Sequence, residues 1–240
     1  MTDLEGLAQV KGLTPSAVCE ELCLLAGQVP ADQAIVELGV YKGRSACYLA
    51  AGSLAGDGAH VWAIDPWDLP GDRRPFGALK PRRRKHWVEF TTRETRLAAK
   101  RNVHRNGFRE HVTLVRGFSV TEGERWDGPP VGLLYVDGDH RADAVRADFE
   151  AWRPHLAPDA TVAFDDYAAS HGEVIEAVDA LVADCELAGL EVLHGRLAVA
   201  RLSVEPAPKE QALARAAELG VKVRSNAKLE TILQRIAEAE

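Results

Sequence analysis

The sequence has few of the features that mark membrane, secreted or nucleic-acid-binding proteins. No apolar run is long enough to span a bilayer, and the first residues lack the basic start and apolar centre of a signal peptide. The four cysteines form no CxxC pair, which is typical of reduced thiols. The net charge of −7 disfavours binding to nucleic acid. We therefore expect a cytoplasmic protein with neither a nucleic-acid nor a membrane partner.

Short apolar runs alternate with helix-like segments along most of the chain. This alternation predicts an α/β fold with a doubly wound, mainly parallel sheet, extra helices at both termini, and a closing hairpin of the last two strands. The predicted strands cover residues 34–39, 61–65, 112–117, 131–136, 161–165, 190–194 and 197–202. Helices are predicted over 141–156 and over about 174–187, on either side of the fifth strand. We place an N-terminal helical segment at 1–30, a central domain at 31–204 and a C-terminal helical extension at 205–240.

Two of the apolar runs end abruptly in acidic residues. The run 131–136 is followed by Asp137, Asp139 and His140, and the run that ends at Phe164 is followed by Asp165 and Asp166. Ligand sites in open α/β sheets lie at the carboxyl ends of the strands, so these groups are expected to meet at one edge. Carboxylates that lie so close repel one another unless a cation, a proton or a basic partner neutralises them.

A glycine-bearing turn follows the first predicted strand. Its pattern, from Glu37 through Gly39 and Gly43 to Ser45, is E-x-G-x-x-x-G-x-S and differs from the G-x-G-x-x-G of dinucleotide sites. Glycine lets the backbone approach a ligand, and the following helix offers free amides. Asp65, which ends the second strand, is of the type that accepts hydrogen bonds from ribose hydroxyls. The turn therefore disfavours an NAD-dependent oxidoreductase.

These motifs, in this order, resemble those of class I S-adenosylmethionine-dependent methyltransferases, which have a Rossmann-like sheet of seven strands. The chain is most similar to the small-molecule O-methyltransferases with an Asp-Gly-Asp-His fourth strand, including metal-dependent enzymes that modify macrolide sugars and cephalosporin precursors. The likeness covers roughly residues 30 to 202. It departs at Asp159 and Ala160, where the family usually has two glycines before the fifth strand.

The resemblance implies S-adenosylmethionine as cofactor and a small hydroxylated molecule as acceptor. It assigns the central domain 31–204 to the cofactor and the segment 1–30 to the lid and acceptor side. The implied cofactor-binding residues are Glu37, Gly39, Tyr41, Gly43, Ser45, Asp65, Ser119 and Asp137.

The metal-dependent relatives imply a magnesium site and a general base. In this sequence the implied ligands are Asp137, Asp165 and Asp166, and the implied base is His140, with Asp137 beside it in the catalytic site. Hard carboxylate oxygens suit Mg²⁺, and a histidine takes up a proton near neutral pH. His171 is a second histidine candidate for the pocket.

Other functions stay open at this point. A metal-independent N- or O-methyltransferase would use His140 or Asp139 as base, with Asp139 otherwise paired to Arg141 or Arg44. A non-catalytic module would hold S-adenosylmethionine without turnover. Asp148, in a predicted helix, is interpreted as structural.

Two further segments have open interpretations. The segment 66–86 is a solvated loop or a lid whose basic residues, 73–85, meet an anion, and Trp67 and Trp87 beside it shield a ligand or serve in packing. The extension 205–240 offers a surface for a homo-oligomer.

Overall fold

The computed structural model describes residues 4–67, 92–184, 186–203, 208–223 and 227–239. Strands and helices alternate through the central part of the chain, as predicted. In chain order the elements are α1 (Leu4–Ala8), α2 (Ser16–Ala26), β1 (Ala34–Leu38), α3 (Arg44–Ala55), β2 (His60–Asp65), α4 (Arg93–Arg105), β3 (Val112–Arg116), α5 (Ser119–Glu124), β4 (Val131–Val136), α6 (Ala142–Trp152), a 3₁₀ turn (Arg153–His155), β5 (Leu156–Phe164), a second 3₁₀ turn (Ala169–His171), α7 (Gly172–Ala183), β6 (Leu187–Leu193), β7 (Leu197–Leu202), α8 (Pro208–Glu218) and α9 (Leu229–Ala237). In the described part of the chain, no helix combines the length and the apolar character needed to cross a bilayer.

The strands form one seven-stranded sheet in the order β3-β2-β1-β4-β5-β7-β6. Strands β1 to β5 run parallel, and β7 pairs antiparallel with both β5 and β6. The predicted fold, including the closing hairpin, is confirmed. Because β1 lies between β2 and β4, the strand order reverses there, and the crevice beyond this point is where such sheets bind ligands.

Helices cover both faces of the sheet and bury a hydrophobic cluster on each. Side chains alternate along a strand, so Ile35 belongs to the cluster under α2 and α3, whereas Val36 belongs to the cluster under α6 and α7. Every residue of β1 is buried. The continuous apolar runs of the sequence reflect this burial on two faces.

Four predicted boundaries in the second half of the chain are wrong. The helix expected over 141–156 ends at Trp152, because Pro154 lacks the amide hydrogen that a longer helix requires. Strand β5 begins at Leu156 instead of residue 161, and it contains a register shift against β4, with Asp159 at a φ of 63°. The helix expected over 174–187 ends at Ala183, and β6 starts at Leu187.

Both terminal regions contain two helices each in the described residues. Helix α2 approaches α3 so closely that a Cβ on Gly52 would lie 1.8 Å from the carbonyl oxygen of Cys23. Helices α8 and α9 share a small apolar core of Ala212, Ala216, Ile232 and Ile236. Cys19, Cys23 and Cys47 are free thiols, and Cys185 lies outside the described residues.

Candidate active site

The carboxyl ends of β1, β2, β4 and β5 surround a cavity of about 980 Å³. Most of the residues singled out from the sequence line it. They are Gly39, Tyr41, Ser45, Asp65, Ser119, Asp137, His140, Asp165 and Asp166. Glu37 and Gly43 lie behind this wall instead of on it. The N-terminal segment contributes Gly12, Leu13 and Thr14 to the wall.

The turn after β1 depends on glycine. Gly39, Tyr41 and Gly43 have φ values of 92°, 51° and 76°, in the left-handed region that glycine adopts at least cost. A Cβ on Gly39 would lie 2.0 Å from the carbonyl oxygen of Asp137. This close approach brings the end of β1 against the end of β4. Gly43 then starts α3 without a side-chain cap, so the first amides of that helix stay available for a ligand.

Glu37 supports the turn from below. It is fully buried, and its Oε1 accepts a hydrogen bond from the hydroxyl of Ser45, a residue of the cavity wall. Burial raises the pKa of Glu37 well above its ordinary value, although the Ser45 hydrogen bond acts against this. Its Oε2 has no hydrogen-bond partner among the described residues. Glu37 therefore acts on the cavity through Ser45.

Asp65 binds backbone amides. Its Oδ2 accepts hydrogen bonds from the amides of Val40 and Tyr41, both at 2.9 Å, and its Oδ1 accepts one from Trp67 at 2.7 Å. Burial raises the pKa of Asp65 to about 6, and these three hydrogen bonds limit the rise. A carboxylate has further lone pairs, so an acid on this wall can still accept from a ribose.

Trp67 has a packing role. Its side chain is buried in the hydrophobic cluster under α3, and its Nε1 donates to the carbonyl of Tyr41 at 3.0 Å. Of the two predicted roles, shielding a ligand and packing, the contacts favour packing. Trp87 and the basic residues 73–85 lie outside the described residues.

Asp148 joins the cavity wall, although the sequence predicted a structural role. It shares the buried face of α6 with Val145, Phe149 and Trp152, and it accepts a hydrogen bond from the hydroxyl of Ser119. Burial raises the pKa of Asp148 to about 7. The sequence signal that could have identified Asp148 as a wall residue is its position as an acid among the apolar residues of one helix face.

His140 lies between the two groups of acids. Its Nε2 is 3.2 Å from Asp166 Oδ2 and 3.9 Å from Asp137 Oδ1, and no described residue forms an aligned hydrogen bond with it. Burial lowers the pKa of His140, but the carboxylates of Asp137, Asp166 and Asp139 outweigh burial, so the net pKa is raised. Burial raises the pKa of Asp137 to about 6, and His140 opposes that rise. The His171 ring lies 5.0 Å from the His140 ring, between centroids.

Asp139 is held by Arg141. The guanidinium Nε and Nη2 lie 3.0 and 2.9 Å from Asp139 Oδ2, whereas Arg44 donates to Ser16 Oγ at 2.8 Å. The first of the two predicted partners is therefore the right one. This pairing leaves His140 as the more available base.

A residue that the sequence did not single out lies against the acids of β5. Arg196 donates from Nε to Asp165 Oδ1 at 2.9 Å and from Nη2 to Asp165 Oδ2 at 2.8 Å, and its Nη2 also donates to Asp166 Oδ1. Burial lowers the pKa of Arg196, but its bonds to Asp165 outweigh this, and the net pKa is raised. The signal for this position was the short His-Gly turn between the two closing strands, which brings the next residue back to the end of β5.

A family model covers the part of the chain that holds the glycine turn and the acids after β4 and β5. The model of a methyltransferase domain matches residues 36–167, more than half of the chain. The chain belongs to the methyltransferase-domain family. Its motifs and fold are those of class I S-adenosylmethionine-dependent methyltransferases, which confirms the resemblance stated from the sequence.

Solved methyltransferase structures share this fold at low sequence identity. The O-methyltransferase NovP is 20% identical, with a TM-score of 0.60 over 83% of this chain and 79% of that one. The O-methyltransferase TomG from Streptomyces achromogenes, in complex with S-adenosylmethionine, is 17% identical, with a TM-score of 0.57 over 83% and 89%. An O-methyltransferase from Bacillus cereus, in complex with S-adenosylhomocysteine, is 16% identical, with a TM-score of 0.57 over 83% and 90%. No curated protein matches the chain.

The predicted metal ligands of this methyltransferase lie together. Oxygens of Asp137, Asp165 and Asp166 lie within 4.8 Å of one another, and they are the hard donors that Mg²⁺ prefers. Arg196, however, binds both oxygens of Asp165 and one of Asp166. With Arg196 in this place the residues do not fit a divalent ion.

Proposed function

We propose that the chain is an S-adenosylmethionine-dependent O-methyltransferase that acts on a hydroxyl group of a small molecule, with His140 as the general base. The observation that carries this proposal is the place of His140 in the cavity wall, where its Nε2 lies 3.2 Å from Asp166 Oδ2 and 3.9 Å from Asp137 Oδ1. An imidazole beside two carboxylates takes up a proton readily, and a ligand in the cavity can supply that proton.

The glycine turn fits the cofactor. Gly39 leaves the space that a Cβ would fill against Asp137, and α3 directs its uncapped amides toward the same wall. Those amides suit the carboxylate of the methionine moiety, and Asp65 suits the ribose. We accordingly keep the predicted cofactor residues, with Glu37 and Gly43 acting from behind the wall.

S-adenosylmethionine supplies an electrophilic methyl group on a sulfonium. The imidazole of His140 accepts the proton of the acceptor hydroxyl as that oxygen bonds to the methyl, while the bond between the methyl and the sulfur breaks and S-adenosylhomocysteine leaves. The carboxylates of Asp137 and Asp166, beside His140, stabilise the imidazolium that forms. The cavity wall holds the two partners in line and excludes water.

The acceptor side of the cavity includes the N-terminal segment. Leu13 lines the cavity and keeps 65% of its surface exposed. An exposed apolar side chain at a cavity wall suits contact with a small organic acceptor. This supports the proposed place of residues 1–30 on the lid and acceptor side, and the partition into 31–204 and 205–240 stays a prediction.

The sequence predicted a magnesium-dependent methyltransferase, with a metal-independent methyltransferase as the alternative. The acid cluster supports the former, and the bonds of Arg196 to the same oxygens favour the latter. An N-methyl product would contradict the hydroxyl acceptor, and binding without transfer would indicate the non-catalytic module.

The test is the variant His140→Gln, assayed with labelled S-adenosylmethionine on a panel of hydroxylated small molecules. We expect transfer to fall by about 10²–10⁴-fold, the usual contribution of a general base, while affinity for S-adenosylhomocysteine is unchanged. His104→Gln is the matched control, because this histidine is exposed on α4. Full activity of His140→Gln would refute the role of the base.

A further inference from the structure

The acid cluster holds a cation from its own chain. The Arg196 side chain is 28% exposed, and it bridges Asp165 and Asp166, whose side chains are 2% and 13% exposed. Charged groups this deeply buried occur in pairs, because the loss of hydration must be offset. Here the offset comes from a bidentate contact to one carboxylate and a further bond to its neighbour.

The backbone fixes Arg196 in this place. His194 and Gly195 have φ values of 52° and 67°, both positive as in a two-residue type I′ hairpin turn. The turn closes with a bond from the Arg196 amide to the Leu193 carbonyl at 3.1 Å. The Arg196 carbonyl accepts from the amide of Tyr167, the residue after Asp166, at 2.8 Å. The guanidinium and the carboxylates thus project from backbone segments that are bonded to each other.

Four of the six carboxylate oxygens of the cluster accept a hydrogen bond from a side chain of the protein, and His140 lies beside the other two. Arg196 binds both oxygens of Asp165 and Oδ1 of Asp166. His140 Nε2 is the near neighbour of Asp166 Oδ2 and Asp137 Oδ1. The Tyr135 hydroxyl donates to Asp137 Oδ2 at 3.1 Å.

A divalent ion would compete with the guanidinium for these oxygens. Mg²⁺ binds carboxylate oxygens at about 2.0–2.1 Å in a near-octahedral shell. The Arg196 nitrogens already lie 2.8 and 2.9 Å from the oxygens of Asp165. An ion at the same oxygens would therefore meet a like charge at close range, and one of the two would have to leave.

We infer that Arg196 is the resident cation of this site and takes the place that a divalent ion has in metal-dependent relatives. It is a positioning residue: it neutralises Asp165 and Asp166 and holds Asp166 beside His140. The enzyme then methylates without a divalent metal. This inference rests on the proposed function for its catalytic part, but the occupation of the cluster by a guanidinium is tested without turnover.

The test is binding of Mn²⁺ to the full chain, measured by electron paramagnetic resonance and calorimetry. We expect weak, non-stoichiometric binding to the unchanged protein and stoichiometric binding to Arg196→Gln, with an affinity gain of about tenfold or more once the competing charge is gone. Adding Asp165→Asn to Arg196→Gln is expected to abolish the gain. Arg201→Gln is the matched control, because Arg201 lies on β7, the strand that follows Arg196, but binds the carbonyl of Asp159.

Tight stoichiometric Mn²⁺ binding to the unchanged protein would overturn the inference, even if Arg196→Gln fails to fold. So would loss of methyl transfer in a chelator, restored by added Mg²⁺. Affinity for S-adenosylhomocysteine serves as a separate readout: if it is absent, the proposed function fails, whereas the Mn²⁺ result still decides the role of Arg196.

Discussion

Two ends of the same crevice neutralise their acids in different ways. Beyond β1 and β2, Asp65 accepts three hydrogen bonds from backbone amides, and Glu37 is paired with a hydroxyl. Beyond β4 and β5, Asp165 and Asp166 are paired with Arg196, and Asp137 and Asp166 flank His140. Backbone amides stay in place, whereas basic side chains carry charge and protons. The first end is therefore suited to holding a cofactor, and the second to proton transfer.

The largest expected effect comes from the point where the two ends touch. In Gly39→Ala the new Cβ meets the carbonyl of Asp137 at 2.0 Å, and the residue keeps a φ of 92°. We expect a loss of about 3–5 kcal/mol in the free energy of unfolding, because the backbone at Asp137 has to move and alanine is strained at this φ. Urea denaturation measures this loss of stability, and calorimetry measures whether S-adenosylhomocysteine also binds more weakly.

Gly58→Ala is the control for the strain alone. Gly58 has a φ of 85°, but nothing lies within 4 Å of the Cβ position. We expect a cost of about 1 kcal/mol. Equal losses of stability in Gly39→Ala and Gly58→Ala would mean that the close contact between the ends of β1 and β4 contributes nothing to the cost.

A smaller effect is expected at the amide-bound acid. Asp65→Asn replaces one acceptor oxygen by an NH₂ group that faces the backbone amides of the turn. We expect a loss of about 1–3 kcal/mol in the free energy of unfolding, the cost of an unsatisfied buried donor, with weaker binding of S-adenosylhomocysteine. Asp57→Asn, at an exposed acid in the loop before β2, is the control. An unchanged affinity in Asp65→Asn would remove Asp65 from the cofactor site.

The smallest effect concerns pH. The pKa of Asp148 is raised to about 7 by burial, so the folded state holds a proton that the unfolded state loses near pH 4. Stability from this group is thus present at low pH and lost as pH rises toward 7. Each pH unit between the two pKa values is worth at most about 1.4 kcal/mol. We expect the free energy of unfolding of Asp148→Asn to rise relative to that of the unchanged protein by a smaller total, about 1–2 kcal/mol, between pH 4 and pH 7.

Thermal unfolding of both proteins across this pH range measures the difference. Asp143→Asn, at an exposed acid on the same helix, controls for a general change in charge. A constant difference between Asp148→Asn and the unchanged protein at every pH would show that folding does not raise the pKa of Asp148.

The sequence predicted the parts that depend on local pattern. The apolar runs located the central strands, and the glycine spacing located the turn that Gly39 requires. The acids at the strand ends were expected to need a cation, a proton or a basic partner. The structure brings them together at the place where the strand order reverses.

The remaining features depend on contacts between distant segments. Arg196 is 30 residues from Asp166 in the chain, and its position follows from a hairpin turn and from one backbone bond to Tyr167. The amide partners of Asp65 come from another strand end. The early start of β5 follows from an irregular pairing with β4 that includes Asp159. Periodicity does not encode such tertiary geometry.

The most direct test of the cofactor and base assignments is a crystal structure with S-adenosylhomocysteine. We predict that its homocysteine moiety lies along the turn 39–45 and that its sulfur faces the His140 side chain, with room between them for a hydroxylated acceptor. A sulfur that faces away from His140, with protein filling the space beside it, would contradict the account.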